Sequence, residues 1–362
     1  MDHNTFIGRV AIVHDYLTQT GGAERLVLAL VSALPGASVY TSVYDPGCTF
    51  SGFAGLEVRV PPLGRLVRPA AFRWYAPLYP LLFSSLELSG FETVLVSSSA
   101  FAHHVRHPRV FVYCHTPPRF LYQPGSYTRS LGRAGALRVV TAPAKALDRR
   151  AAVRARSYAA NSEVTRRRIA DVYGLDAAVI HPPVSTGHLP AVLPPLPTRP
   201  QALVVSRLLP YKRVDVAVRA CVEAGIPVRV VGDGPERGNL ERIAGPGVEL
   251  LGRVDDTEMA KLYANASVVL APGVEDFGFA PVEAHWAGRP VVAVADGGAL
   301  ETVTDGVDGL LVHGHETHRW AAAVREVHER SWDPARLRVS AEQFSLETFV
   351  GRIRNWITGP AQ

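Results

Sequence analysis

The chain has 362 residues, 47% of them apolar and 20% charged, with a formal net charge of +5. That length exceeds what one compact core holds and predicts two domains, in a composition that excludes disordered and fibrous classes. The mild basicity fits phosphate-bearing ligands or an anionic membrane surface; no nucleic-acid motif accompanies it.

Cys48, Cys114 and Cys221 are scattered and odd in number, and no C-x-x-C pair exists. A disulfide framework and a zinc site are both disfavoured, which points to a reducing cytoplasm. The first residues lack a basic segment followed by a long apolar core, so no signal peptide is expected. The apolar run Trp74 to Leu86 carries two prolines and is too short to span a bilayer.

In chain order, RVAIVHDYL (Arg9 to Leu17) predicts a buried strand, and Gly21 and Gly22 then open an amphipathic helix. The segments ASVYTSVYD, TVLVSSS and RVFVYCHT predict further strands, with helical stretches such as AKALDRRAAVRARSYA between them. This alternation predicts an α/β, doubly wound parallel sheet over residues 1–185. The segment His181 to Pro200 holds seven prolines and no periodic pattern, so 186–200 is expected to link two domains. Alternation restarts with QALVVSRL, VRVVGDG, VELLGRV, ASVVLAP, PVVAVAD and GLLV, predicting a second doubly wound domain over 201–339. The tail, FSLETFVGRIRNWI, reads as an amphipathic helix within 340–362 that packs back on the first domain. Two open α/β sheets imply a cleft, with ligands outside the carboxyl ends of the strands.

One stretch at such a strand end asks for more than structure needs. EDFGFAPVE places Glu275 and Glu283 eight positions apart, around Asp276, Phe277, Gly278, Phe279 and Pro281. Gly278 permits close backbone approach. Pro281 fits the first turn of a helix whose amides point outward, with Glu275 in the loop and Glu283 in that turn. Carboxylates accept paired hydrogen bonds from the vicinal hydroxyls of a sugar or ribose. The alternative is a surface loop with a helix-capping glutamate, against which stand two phenylalanines that must line something.

Arg207 follows a buried strand, and Lys212 lies five residues later. A guanidinium fork and an ammonium at a strand end suit a diphosphate; otherwise they are two solvated cations. The Gly21–Gly22 turn either presents amides to a phosphate or sugar, or is only a tight turn. His115 closes a strand before Thr116 and two prolines, either as a core histidine or as a group that bonds a sugar hydroxyl or handles a proton. The glycines Gly232, Gly234 and Gly238 give G-x-G-x-x-x-G, not the dinucleotide fingerprint, and read as a strand-turn-helix joint beside a phosphate or base pocket.

From Arg129 to Arg168 the chain carries Arg129, Arg133, Arg138, Lys145, Arg149, Arg150, Arg154, Arg156, Arg166, Arg167 and Arg168, against only Asp148 and Glu163. With the arginines and aromatics of Gly64 to Phe83, this stretch either rests on an anionic bilayer or is a solvated helix face.

VSRLLPYKRVD, VVGDGPE, LGRVDD, EDFGFAPVEAHWAGRPVVA and GGALETVTDGVDGLLV, in this order, resemble the retaining glycosyltransferases of GT-B fold with an E-x7-E signature, the group 1 glycosyltransferases. YCHTPPRFLY further resembles bacterial GDP-mannose-dependent α-mannosyltransferases of lipid-linked polysaccharide assembly. The resemblance implies two Rossmann-like domains facing across a cleft. It implies that Glu283 holds the ribose, that Glu275 and the amides of Phe277, Gly278 and Phe279 meet the donor sugar, and that Arg207 and Lys212 neutralise the diphosphate. Gly22 offers an amide near that diphosphate, and His115 contacts the sugar near the reacting carbon. Val254 and Asp256 lie beside the base, and Ser162 matches a family serine on the acceptor side. The implied activity is retaining transfer of mannose from GDP-mannose to a lipid-linked or glycan acceptor, at the inner face of the membrane, with no cofactor and no metal ion. A UDP-sugar enzyme acting on a small acceptor such as an inositol phosphate stays open, as does an NAD-linked oxidoreductase using GDGPERG.

Overall fold

The computed structural model describes residues 8–67, 75, 78–123, 134–187, 189 and 192–359, with side chains from 142 onward in the helix Ala134–Ala152. Residues 68–74 and 76–77, together with Arg129 and Arg133, lie outside the described residues, and the side chain of Arg138 is among those not described. The chain divides into two compact units, Met1–Pro183 with Glu347–Gln362, and Val184–Leu346.

The first unit is built on seven strands: β1 (Val10–His14), β2 (Ser38–Thr41), β3 (Val58–Arg59), β4 (Thr93–Ser98), β5 (Val110–Cys114), β6 (Ser157–Ala160) and β7 (Ala178–Val179). They form one parallel sheet in the order β3-β2-β1-β4-β5-β6-β7. Successive residues point to opposite faces, and both faces are buried. Ala11, Val13, Val94, Val96 and Val112 enter one core, while Val10, Ile12, Leu95, Phe111 and Tyr113 enter the other. The C-terminal helix Leu346–Thr358 brings Phe349, Ile353 and Ile357 to the second of these faces. It is tied there by the Arg354 Nε donation to Ala33 O (2.8 Å) and the Trp356 indole donation to Ser157 Oγ (2.9 Å).

The second unit carries β8 (Ala202–Val205), β9 (Val228–Val231), β10 (Val248–Gly252), β11 (Val268–Ala271), β12 (Val291–Val294) and β13 (Gly309–Val312). They too are all parallel, in the order β10-β9-β8-β11-β12-β13. In each sheet the order reverses beside the first strand, at β1/β4 and at β8/β11. These are the two topological switch points, where an open α/β sheet forms its ligand crevice.

Three expectations shift. The stretch Ala144 to Ala159 is not one helix: the helix ends at Ala152, and Ser157–Ala160 becomes β6 because Tyr158, Ala159 and Ala160 are buried in the sheet. The proline-rich segment expected to link two domains packs, where it is described, on the second unit. There Leu189 is buried, and the fully buried Arg289 donates to the carbonyls of Pro194, Pro195, Tyr263 and Ala264 at 3.0–3.1 Å. Residues 340–345 also stay with that unit, because Ala341 and Phe344 fill its core.

Candidate functional site

In the second unit, the switch point at β8/β11 gathers the residues that leave those two strands. Lys212 follows β8 in the short turn Pro210–Lys212 and is 9% exposed, rare for an ammonium without a partner. Its partner is Glu275, which follows β11: the Lys212 ammonium ion-pairs with the Glu275 carboxylate. The ammonium also stands 5.1 Å from the Tyr211 ring centre. Gly273 makes the approach of the two loops possible, since a Cβ there would meet the Lys212 backbone at 2.9–3.0 Å. Arg207, by contrast, is exposed and donates to the Tyr211 hydroxyl at 3.4 Å.

Gly278 adopts φ +86°, a left-handed conformation that favours glycine, and so turns the loop into the helix Phe279–Trp286. No side chain caps that helix start. Pro281 is its third residue. Glu283 falls in its second turn, not its first, because the helix begins at Phe279. Glu283 is 7% exposed and accepts from the buried Tyr263 hydroxyl at 2.9 Å. Phe277 does not line an open pocket. It is buried, with ring centres 5.3 Å from Phe279 and 5.4 Å from Phe344, and anchors the loop in the core. The expected pair of ligand-lining phenylalanines therefore reduces to the half-buried Phe279 and the backbone between them.

The peripheral members of the set differ in kind. Gly232 donates its amide to Gly252 O at 2.7 Å, and a Cβ there would overlap Ser206 O, so this glycine serves the joint between β8 and β9. Val254 is partly buried against the core, and Asp256 is exposed at the first position of the helix Asp256–Asn265. Asp255 caps that helix, accepting from Glu258 N at 2.8 Å.

In the first unit, a polar chain lies at the carboxyl ends of β1 and β4, and His115 is the one member of it that the sequence singled out. His115 Nε2 and Ser97 Oγ share a hydrogen bond of 2.8 Å, and Ser97 Oγ shares another of 3.0 Å with His14 Nδ1. His14 Nε2 lies 3.9 Å from Glu24, which accepts from Gln19 Nε2 at 3.0 Å. Burial, and then the neighbouring His14, push the His115 pKa down from 6.5 to about 3, so its imidazole is neutral at physiological pH. Asp15 accepts from the backbone N–H groups of Ser99, Ala100, Phe101 and Ala102 at 2.6–3.0 Å, which fixes the loop after β4. The signal that could have found both residues is two polar side chains, His14 and Asp15, at the end of a strand that is otherwise apolar.

Gly21 precedes the helix Gly22–Ala33, whose start has no side-chain cap. Ser162 is fully buried and caps the helix Glu163–Tyr173, accepting from Thr165 N at 3.2 Å. Its link to the site is indirect: Thr165 Oγ1 donates to His115 O at 3.1 Å.

The first half of the chain, residues 20–188, matches the family described as Glycosyltransferase Family 4, and residues 189–344 match Glycosyl transferases group 1. Among curated proteins, the D-inositol 3-phosphate glycosyltransferase of Mycolicibacterium smegmatis is 34% identical over 214 residues, covering 51% of this chain and 48% of the relative. The chain thus spans about half the length of the curated relatives it matches. Among solved structures, the Anabaena protein HepE in complex with UDP and glucose superposes with a TM-score of 0.70 at 18% identity, covering 97% of this chain and 99% of that one. The lipopolysaccharide outer core galactosyltransferase WaaB gives 0.69 at 14% identity, covering 96% and 99%.

Proposed function

Because the chain belongs to the group 1 glycosyltransferases of GT-B fold, we propose that it transfers a hexosyl group from a nucleotide-diphosphate sugar to a hydroxyl acceptor with retention at the anomeric carbon. The observation that carries the proposal is the buried Lys212 ammonium held by Glu275 at the β8/β11 switch point.

The hard step is cleavage of the bond from the anomeric carbon to a diphosphate oxygen. Negative charge grows on the leaving oxygens, and a preorganised cation stabilises that charge without reorganising. Lys212, aimed by its ion pair, supplies it, with the exposed Arg207 as a mobile second cation. The amides from Phe277 to Phe279 and the Glu275 carboxylate bind sugar hydroxyls; Glu283, oriented by Tyr263, takes the vicinal hydroxyls of the ribose. In the first unit, the neutral His115 imidazole can donate or accept a hydrogen bond but does not act as a cation. The same-face path needs no enzyme nucleophile, and the transfer chemistry is assigned no metal ion.

Two donors are supported by different observations. The resemblance of Tyr113–Tyr122 to mannosyltransferases favours GDP-mannose and a lipid-linked or glycan acceptor. The names of the similar proteins, an inositol phosphate enzyme and a UDP complex, favour a UDP-sugar and a small phosphorylated acceptor. Release of nucleoside diphosphate, assayed with each sugar nucleotide against inositol phosphate and against a lipid-linked acceptor, separates them. Turnover with none of these combinations counts against the proposal.

No helix among the described residues is long and apolar enough to cross a membrane. Leu63, Leu66, Leu78, Leu81 and Phe120 are exposed in the first unit, which supports a peripheral seat on the anionic inner face of the membrane, in the cytoplasm. Sedimentation with anionic vesicles at low salt tests it; a protein left in the supernatant removes the idea.

A further inference from the structure

The first unit gathers three metal-ligating side chains that lie far apart in sequence and outside the site described above. His103 and His104 form the short turn Ala102–His104 after β4, and Asp148 comes from the helix Ala134–Ala152. All three are buried, none more than 4% exposed. Asp148 Oδ1 lies 3.0 Å from His103 Nε2 and 3.5 Å from His104 Nε2, and the three atoms fall within 4.8 Å of one another. Each of them lacks a hydrogen-bond partner of proper geometry. Buried polar atoms of a folded chain are almost always satisfied. Here the three atoms have only one another, with Asp148 Oδ1 shared between two imidazoles, and an ion between them would satisfy all three.

The spacing selects the occupant. Zinc binds imidazole nitrogen and carboxylate oxygen at about 2.0–2.2 Å, which places neighbouring ligands roughly 3–3.5 Å apart; the two separations from Asp148 Oδ1 match this, and all three atoms stay within 4.8 Å. The shell behind the ligands is built as a metal site requires. Asp148 Oδ2 accepts from the Tyr122 and Tyr173 hydroxyls, both at 2.9 Å, which leaves Oδ1 for the histidines. His103 Nδ1 is engaged by Ser98 Oγ at 3.3 Å, which turns Nε2 inward.

We propose that His103, His104 and Asp148 bind one first-row divalent transition metal ion, zinc foremost, clamping the helix Ala134–Ala152 to the loop after β4. The set is two imidazoles and one carboxylate, a borderline donor mix that suits zinc and its neighbours over magnesium or calcium. Sequence reading finds no metal constellation here, because the pair His103–His104 meets Asp148 only through the fold.

The test uses the full chain, stripped by chelator and reloaded with zinc chloride or cobalt chloride. Elemental counting is expected to give one zinc per chain. The cobalt form is expected to show visible bands of nitrogen and oxygen ligation without the thiolate absorption that the exposed Cys48 would add. His104→Asn and Asp148→Asn, checked for fold by circular dichroism, are expected to weaken zinc by more than about 100-fold. Tyr173→Phe, which removes only a hydrogen bond to the ligand, is expected to weaken it by roughly 10–100-fold. A wild-type chain that takes up neither zinc nor cobalt overturns the proposal, and so do folded ligand variants that retain wild-type zinc affinity. The cobalt spectrum needs no variant, so a variant that fails to fold leaves the test decisive.

Discussion

Lys212 and Glu275 form an ion pair that joins the loop after β8 to the loop after β11, the two strands that part at the reversal of the second sheet. The ammonium is nearly buried while the carboxylate is about one-third exposed, so the pair works as a held cation with one open side. On the proposed mechanism Lys212→Ala removes the cation that meets the leaving diphosphate, and it is expected to lower turnover by about 10²–10³-fold, the scale of losing one preorganised donor. Lys212→Arg keeps the charge but not its position in a turn built around an unbranched stem, and is expected to recover only part of that loss. Initial rates of nucleotide release check both. Near-wild-type turnover in the alanine variant would remove Lys212 from the mechanism.

The pH dependence of stability follows from His115. Its folded pKa is about 3 against 6.5 for the free imidazole. Between those values the unfolded chain binds a proton that the folded chain does not, so stability is full above pH 6.5 and falls as pH drops toward 3. His115→Gln keeps a hydrogen-bonding side chain and cannot titrate. Urea titrations across this range are expected to show a shallower pH slope for the variant; parallel slopes would assign the acid sensitivity elsewhere.

Much of this was open to inspection in the sequence, and the reasons are physical. Segments such as Val268–Ala271 and Val291–Val294 are short apolar runs between turn residues, as strands buried on both faces must be. The loop from Glu275 to Phe279 shows itself because carboxylates and glycine at the end of such a run have no structural purpose. What stayed hidden depends on partners distant in sequence. β3 and β7 have two residues each and exist only by pairing with β2 and β6. Glu24 and Asp148 look like solvated helix charges until the fold buries them beside histidines. Phe277 reads as a ligand contact because nothing local announces Phe344, the core ring it packs on.

Arg289 shows how a proline-rich segment without periodicity becomes part of a domain. Burial lowers its pKa to about 10, still well above neutrality, and its guanidinium donates to four carbonyls, two of them in the proline-rich segment. Arg289→Met fills much of the volume but leaves those carbonyls unpaired. A loss of roughly 3 kcal/mol is expected, given about 1–3 kcal/mol for each buried group left unsatisfied. Denaturant unfolding measures it, with limited proteolysis expected to cut first within 189–200. A loss under about 0.5 kcal/mol, ordinary for a surface site, would mean the segment is held by other contacts.

The most direct measurement is calorimetric binding of UDP, GDP and ADP to the full chain, repeated with Lys212→Ala and Glu283→Gln. One of the uridine or guanosine diphosphates is expected to bind, Lys212→Ala to weaken it at least about tenfold, or 1.4 kcal/mol, and Glu283→Gln to weaken it through the ribose. A folded chain that binds none of the three, or a Lys212→Ala variant that binds as tightly as the wild type, would contradict the diphosphate site on which the proposed activity rests.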